Sequence, residues 1–361
     1  MVYFLVNNDF HVHDVKNLAA QLGYGNCSLI SVPYRMDVPR ELPFAHQYVF
    51  ERCEFLLKQV PSNLRKLLSI HRDNFRKRKQ LDALRPTRND TLFVFTECEL
   101  MNMFCIRKFH KVGAKIFLVE DGMASYIYFN RDSDRIPLRW KLVTPVYKLL
   151  YGLKGFYPYY ASSMPYHMLS EKYYRGACFF TPISIRRKLP VIWLDNGEKP
   201  LRGLDQENAM VLTQPLGTES LKIDKTILDN VHANFKRIYL KCHPDEFRDQ
   251  KTYNALKQLC AQYDNVEFVE SGAIMEDLIE LYRVGYAISP FSSTLPRLQS
   301  RGVIPVYVYH LLNDIKAVSI DNYLKLINYN FATKWEDIKP GYSSFANKVD
   351  GLKTSIKDLI S

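Results

Sequence analysis

Three short segments of this chain place groups suited to proton transfer or anion binding just beyond a run of strand-forming residues. Glu120-Asp121-Gly122 follows Lys115 to Val119. Two adjacent carboxylates suit general-base work, because each raises the other's proton affinity, and the glycine permits a sharp turn after them. The same acidic pair is also what the amino terminus of a helix favours. His243-Pro244-Asp245 follows the strand that ends at Leu240-Lys241. An imidazole titrates near neutrality and can protonate a leaving phosphate oxygen, while a proline in the first turn of the next helix fixes its direction. A structural hydrogen bond is the plainer use of such a histidine. The third segment, Ser289-Pro290-Phe291-Ser292-Ser293-Thr294, precedes a helix reaching about Arg301. Hydroxyls beside unpaired N–H groups at a helix start make a single-phosphate site, and they also serve as ordinary N-caps. No glycine-rich triphosphate or dinucleotide loop occurs.

The elements that must carry these segments alternate between short apolar runs and longer helical patterns, which predicts mostly parallel sheets in an α/β protein. Val2–Val6, Ser28–Val32, Thr91–Phe95, Lys115–Val119 and Val191–Leu194 read as strands of a first series. Helical patterns cover about 13–22, 42–84 and 97–112. Met210–Leu212, Arg237–Leu240, Val266–Val269, Tyr286–Ile288 and Val303–Val308 read as a second series. Between them 195–208 is polar, with Gly197, Pro200 and Gly203, and reads as a linker. At 361 residues the chain exceeds one core. The expected division is an N-terminal domain over 1–194, the linker 195–208, a second domain over 209–340 and a C-terminal helix over 341–361. Both domains read as doubly wound and Rossmann-like around a central cleft, with ligands beyond the carboxyl ends of the strands.

Composition narrows the class further. With 47% hydrophobic and 24% charged residues the chain reads as a soluble globular protein. The six apolar residues at its start are too few for a signal peptide, and no run reaches membrane-spanning length, so a cytoplasmic location is expected. Seven cysteines without a CxxC pair predict buried thiols rather than disulfides or structural zinc.

The order acid-acid-glycine, linker, His-Pro, Ser-Ser resembles the bacterial sialyltransferases of glycosyltransferase family 52 and the related capsular polysialyltransferases of family 38. Glu120-Asp121-Gly122, His243-Pro244 and Ser292-Ser293 carry the resemblance. Thr213-Gln214-Pro215-Leu216 also looks like the family 52 pattern. The resemblance implies the two-domain GT-B fold and an inverting, metal-independent transfer of sialic acid from CMP-sialic acid to a glycan hydroxyl, with no cofactor. The implied acceptor is lipooligosaccharide or capsule, ending in galactose or sialic acid. Glu120 or Asp121 would take the acceptor proton, Glu120 being the first choice, and Gly122 would shape the turn. His243, beside Pro244, would face the donor phosphate as general acid or charge stabiliser. Ser292, Ser293 and Thr294 would hold that phosphate, and Gln214 and Glu276 would contact the nucleotide, Glu276 at its ribose.

Other features compete for a role. Asp132-Ser133-Asp134 matches the DxD of metal-dependent sugar transferases but reads as a chance match. His11-Val12-His13-Asp14 has poor spacing for a shared ion and fits proximity to the acceptor better. The net charge of +11 gathers at Arg65–Lys79 and again through Arg139, Lys141, Lys148 and Lys154, beside Trp140 and a tyrosine-rich stretch, Tyr147 to Tyr174. A solvated helix face and an anionic membrane surface are the two readings of the basic residues. Sugar stacking, membrane contact, interhelical packing and a homodimer contact are the readings of the tyrosines. No nucleic-acid-binding signature accompanies the charge. The alternatives in function are a GT-B transferase using another CMP- or UDP-sugar, and a non-enzymatic two-domain sugar-binding protein.

Overall fold

Short runs with no polar interruption become central parallel strands, since a strand covered on both faces has no solvent side to populate. The structure, a computed structural model, describes the chain outside residues 35–41, 55–63, 123–137, 162–163, 181–187, 217–218, 314–319, 322–323, 326–330, 344–352 and 361. The chain divides into one unit of Met1–Gly197 with Gly351–Ser361 and a second of Glu198–Asp350.

The first unit contains β1 (Val2–Val6), β2 (Cys27–Ser31), β3 (His46–Val49), β4 (Thr91–Val94), β5 (Lys115–Val119), a hairpin of β6 (Phe156–Ala161) and β7 (Met164–Leu169), β8 (Gly176–Phe179) and β9 (Val191–Trp193). Seven of them form a parallel sheet in the order β3-β2-β1-β4-β5-β8-β9. Its helices are α1 (Asp9–Leu22), α2 (Leu64–Arg78), α3 (Leu100–Lys111) and α4 (Leu138–Tyr151). Phe4, Phe93 and Phe117 are register partners on β1, β4 and β5, with ring centroids 5.5 and 5.3 Å apart. This aromatic row ties the three strands together where the strand order reverses. Val12, Val15, Leu18 and Ala19 of α1 close over it. The C-terminal segment returns to this unit. Thr354 donates its N–H to Trp193 O at 2.7 Å and accepts from Asp195 N at 3.0 Å. Buried Ile356 then begins a short helix, Ile356–Ile360.

Two sequence expectations change here. The region 42–84 is not helical throughout: His46–Val49 pairs with β2 as an exposed edge strand, and the helix is confined to Leu64–Arg78. A four-residue edge strand with little burial carries no periodicity by which to recognise it. The tyrosine-rich stretch is also not a helix–helix surface, because its middle folds into the antiparallel β6–β7 hairpin. Tyr151, Tyr173 and Tyr174 are buried core residues rather than exposed sugar platforms. The Tyr174 hydroxyl donates to Glu97 Oε2 at 2.6 Å, and the Asn74 amide donates to the Tyr151 hydroxyl at 3.2 Å. None of the seven cysteines is paired, and six are buried. Burial pushes the Cys27 and Cys53 thiols up, to about 11 and about 12.

The second unit holds β10 (Asp205–Leu212), β11 (Arg237–Lys241), β12 (Val266–Phe268), β13 (Val284–Ser289) and β14 (Ile304–Tyr307), all parallel, in the order β12-β11-β10-β13-β14. Its helices are α5 (Ser220–Val231), α6 (Pro244–Arg248), α7 (Gln250–Cys260), α8 (Met275–Tyr282) and α9 (Leu295–Ser300). Strand β10 begins inside the polar stretch read as linker, and its register with β13 shifts between Asp205 and Ala209. At that irregularity the backbone presses on Gly285, where an added Cβ would lie 2.8 Å from Asp205 O. Gly285→Ala is therefore expected to destabilise this unit by about 1–3 kcal/mol through overpacking, read as a lower midpoint in urea with unchanged slope.

Candidate functional site

In the first unit the strand order reverses between β1 and β4, and side chains following β1, β4 and β5 converge there, as expected at a topological switch point. Asn8 ends the loop after β1 and caps α1 by accepting from His11 N at 2.9 Å. That cap turns the wholly buried His11 ring back, where its Nδ1 accepts from Asn7 N at 3.1 Å. The ring stacks on Phe95 at 4.7 Å. With Nδ1 accepting, the neutral ring carries its proton on Nε2, which lies 2.7 Å from Asp121 Oδ1 and donates to it. The Asn8 amide nitrogen, 3.2 Å from the same Nε2, is then a neighbour and not a donor. Asn102 donates to Asn7 Oδ1 at 2.8 Å and Thr96 O at 2.7 Å, joining the loops after β1 and β4.

The two carboxylates of the acidic pair have opposite surroundings. Glu120 is fully buried, and its Oε2 accepts from Phe180 N at 2.9 Å while its own N–H bonds Cys178 O. It ties the end of β5 to the end of β8. The Asp121 side chain is 28% exposed and oriented by His11. Of the pair, Asp121 is the carboxylate that solvent reaches, while Glu120, the first choice on sequence for the base, is enclosed. Gly122 has φ +55°, the left-handed turn that the motif anticipated. Asp132-Ser133-Asp134 lies outside the described residues. Among the described residues no cluster of three or more metal-ligand side chains occurs.

In the second unit the order reverses between β10 and β13, and the Ser289 hydroxyl bridges the reversal by donating to Leu212 O at 3.0 Å. His243 caps α6, with Pro244 in its first turn. The imidazole Nδ1 accepts from Asp245 N at 3.2 Å, and Glu246 Oε2 accepts from His243 N at 3.2 Å, a reciprocal capping box. Thr213, from the end of β10, accepts the same His243 N–H at 2.9 Å and donates its hydroxyl to Glu246. Ser292 is buried and its Oγ accepts from Thr294 N at 3.3 Å. Ser293 and Thr294 are partly exposed, and the helix behind them has six residues. The partly exposed Gln214 shares the β10 end with Thr213.

Glu276 is the least comfortable side chain of this unit. It is 1% exposed, and both carboxylate oxygens lie without a hydrogen-bond partner among the described residues. A buried carboxylate with two bare oxygens invites paired donors, such as vicinal hydroxyls. Lys241, at the end of β11, is buried as well. Burial pushes its amine below its ordinary value, against the pull of the neighbouring Cys242 and Glu276. Sequence reasoning named neither Lys241 nor the Thr213–Glu246 support. The signal for Glu246 was present: a glutamate three residues after a capping position.

Contrasting thermal stabilities follow from the first-unit geometry. Glu120→Ala leaves the buried Phe180 N–H without its acceptor and is expected to cost about 1–3 kcal/mol. Asp121→Asn keeps an oxygen for His11 and should melt near wild type in the same calorimetric scan.

Among solved structures the chain is similar to a UDP-glucosyltransferase from Polygonum tinctorium, at 12% identity over 90% of this chain and 82% of that one, with a TM-score of 0.47. It is similar also to MurG of Acinetobacter baumannii, at 13% identity over 94% and 87%, with a TM-score of 0.45. A third is an α,α-trehalose-phosphate synthase from Burkholderia vietnamiensis, at 9% over 90% of each chain, with a TM-score of 0.44. Likenesses at these scores carry no argument about chemistry. No curated protein matches the chain. The family model of alpha-2,8-polysialyltransferase matches residues 4–319, nearly the whole chain. The non-enzymatic reading therefore falls: the chain is a glycosyltransferase and belongs to the alpha-2,8-polysialyltransferase family.

Proposed function

We propose that this enzyme moves sialic acid from CMP-sialic acid to a glycan hydroxyl, with inversion and without a metal or cofactor. Family membership over residues 4–319 is the observation that carries the reading. Thr213-Gln214-Pro215-Leu216 favours the family 52 side of that relationship over family 38. In this reading Asp121, oriented by His11, takes the proton of the acceptor hydroxyl as that oxygen attacks the anomeric carbon. The bond from that carbon to the phosphate oxygen breaks, and its electron pair leaves with CMP. His243, Ser292, Ser293 and Thr294 meet the phosphate, Glu276 accepts from the ribose hydroxyls, and Gln214 lies beside the nucleotide. Donors fixed before reaction stabilise developing charge without reorganising, which favours an arrangement held by backbone caps. A positioned base contributes about 10²–10⁴-fold.

A second contact is part of the proposal, an anionic membrane surface carrying a lipid-linked acceptor. The basic run is less available than its sequence implied. Arg76 pairs with Glu51 and Asp73, Lys77 with Asp73, and Arg78 lies 5.0 Å above the Phe104 ring. Among the described residues an outward stripe at helical spacing remains: Leu68 (58% exposed), Arg72, Phe75 (40% exposed) and Lys79. Phe75 lies 6.1 Å from Tyr151, the last residue of α4, just after the exposed Lys148, Leu149 and Leu150. Apolar and cationic groups alternating on one surface suit the interface of an anionic bilayer. No described helix is long and apolar enough to cross a membrane. The side chains of Trp140, Tyr147, Tyr157, Tyr159, Tyr160 and Tyr166 lie outside the described residues.

Two measurements test these readings. CMP at about 100 times its dissociation constant is expected to stabilise the fold by roughly 2.7 kcal/mol, while UDP at the same concentration should not. Stabilisation by UDP alone, or turnover of a UDP-sugar, would remove sialic acid from the reaction. In sedimentation with phosphatidylglycerol vesicles at low salt the protein should pellet, and Phe75→Asp/Leu149→Asp should stay in the supernatant. Equal pelleting of both, or of neither, would sink the membrane contact.

A further inference from the structure

Resting on the sialyl-transfer reading, we propose that Glu246 is a positioning residue, fixing His243 as a neutral imidazole that donates its Nε2 proton as a hydrogen bond and never transfers it. The histidine is held from both sides. Its main-chain N–H is shared between Glu246 Oε2 at 3.2 Å and the Thr213 hydroxyl at 2.9 Å, and that hydroxyl in turn donates to Glu246. These contacts join the end of β10 to the start of α6 and fix where the His243 side chain departs from the backbone. On the other side Asp245 N–H donates to Nδ1 at 3.2 Å. A nitrogen that accepts a backbone N–H has no free lone pair, so the neutral ring's proton resides on Nε2. Charging the ring would place a second proton between Nδ1 and the Asp245 N–H, forfeiting that bond and setting two donors against each other.

The chemistry does not require an acid at this position. When the donor bond breaks, its electron pair passes to the phosphate oxygen, and CMP departs with one more negative charge. The acceptor's proton goes to the base. A fixed Nε2–H stabilises the new charge without a proton changing hands, as preorganised donors do elsewhere.

Behind Glu246 stands a second carboxyl. Asp224 of α5 is 1% exposed, its Oδ2 is bare, and Glu246 Oε1 is bare too. Burial pushes the Asp224 carboxyl well up, and the charge of Glu246 adds to it. Among the described residues the charged and titratable groups around His243 include Asp245 and Glu246 on its own element, Lys241 and Cys242 just before it, and Asp224 behind Glu246. This arrangement makes the role of Glu246 geometric. Glutamine at 246 keeps an acceptor for both the His243 N–H and the Thr213 hydroxyl.

The test combines ¹⁵N NMR of the histidine rings in the full chain, the His243 signal being identified by its loss in His243→Gln, with the pH dependence of kcat. Wild type should show the neutral Nε2–H tautomer at and below the ordinary histidine value of about 6.5, and kcat should not fall as pH rises through it. Glu246→Ala should mix the tautomers and lower kcat on the order of a hundredfold, with the donor KM little changed. Glu246→Gln should restore both. A charged His243 ring near neutrality, or a kcat that falls as a group near 6.5 deprotonates, overturns the proposal, as does a Glu246→Ala enzyme with wild-type tautomer and kcat. Should Glu246→Ala fail to fold, the wild-type spectrum and Thr213→Val decide. Absence of sialyl transfer in wild type would count against the functional reading alone, since the tautomer is read without substrate.

Discussion

A parallel sheet leaves the backbone at each carboxyl strand end without a partner where neighbouring connections run to opposite sides, and those groups must be satisfied by side chains. In both units of this protein polar side chains beside the candidate site residues do so. Asn7 and Asn102 join the loops beyond β1 and β4 across the first reversal, and Ser289 bridges to Leu212 across the second. Each unit therefore builds its candidate site out of the interactions that close its sheet. A substitution at such a position acts on folding and on chemistry together, and the two effects separate only where one neighbour is buried and the next is exposed.

The acidic pair provides that separation. Glu120 and Asp121 differ by one residue, yet the alternation of side chains at a strand end sends them to different environments. Glu120 turns inward to the Phe180 N–H, while Asp121 remains accessible and takes a hydrogen bond from His11. The geometry of the strand end leaves one enclosed in the fold and the other within reach of solvent. His11 came into view only with the fold, because 110 positions separate it from Asp121.

Both histidines of the candidate sites are treated alike. In each, Nδ1 accepts a main-chain N–H, from Asn7 for His11 and from Asp245 for His243. Backbone donors are fixed in place by the helix start behind them, so the ring tautomer is a consequence of local fold. Histidines held in this way serve as directional donors. The proton that moves in the proposed reaction then belongs to the acceptor and the carboxylate, and the phosphate side works by electrostatics.

The sequence by itself determined the two parallel-sheet series, because an apolar run of five residues such as Val2–Val6 has few alternatives to a doubly covered strand. It also placed the three motifs at strand ends, since turn residues after an apolar run mark where a strand stops. It put His46–Val49 in a helix, because an exposed edge position leaves no strand pattern, and it did not register the antiparallel β6–β7 hairpin. Only the tertiary structure decided which carboxylate is reachable, which tyrosines are core, and that Glu246 and Thr213 brace His243. Those outcomes depend on contacts between residues distant in the chain, such as the 30 positions from Thr213 to His243, and local pattern carries no record of them.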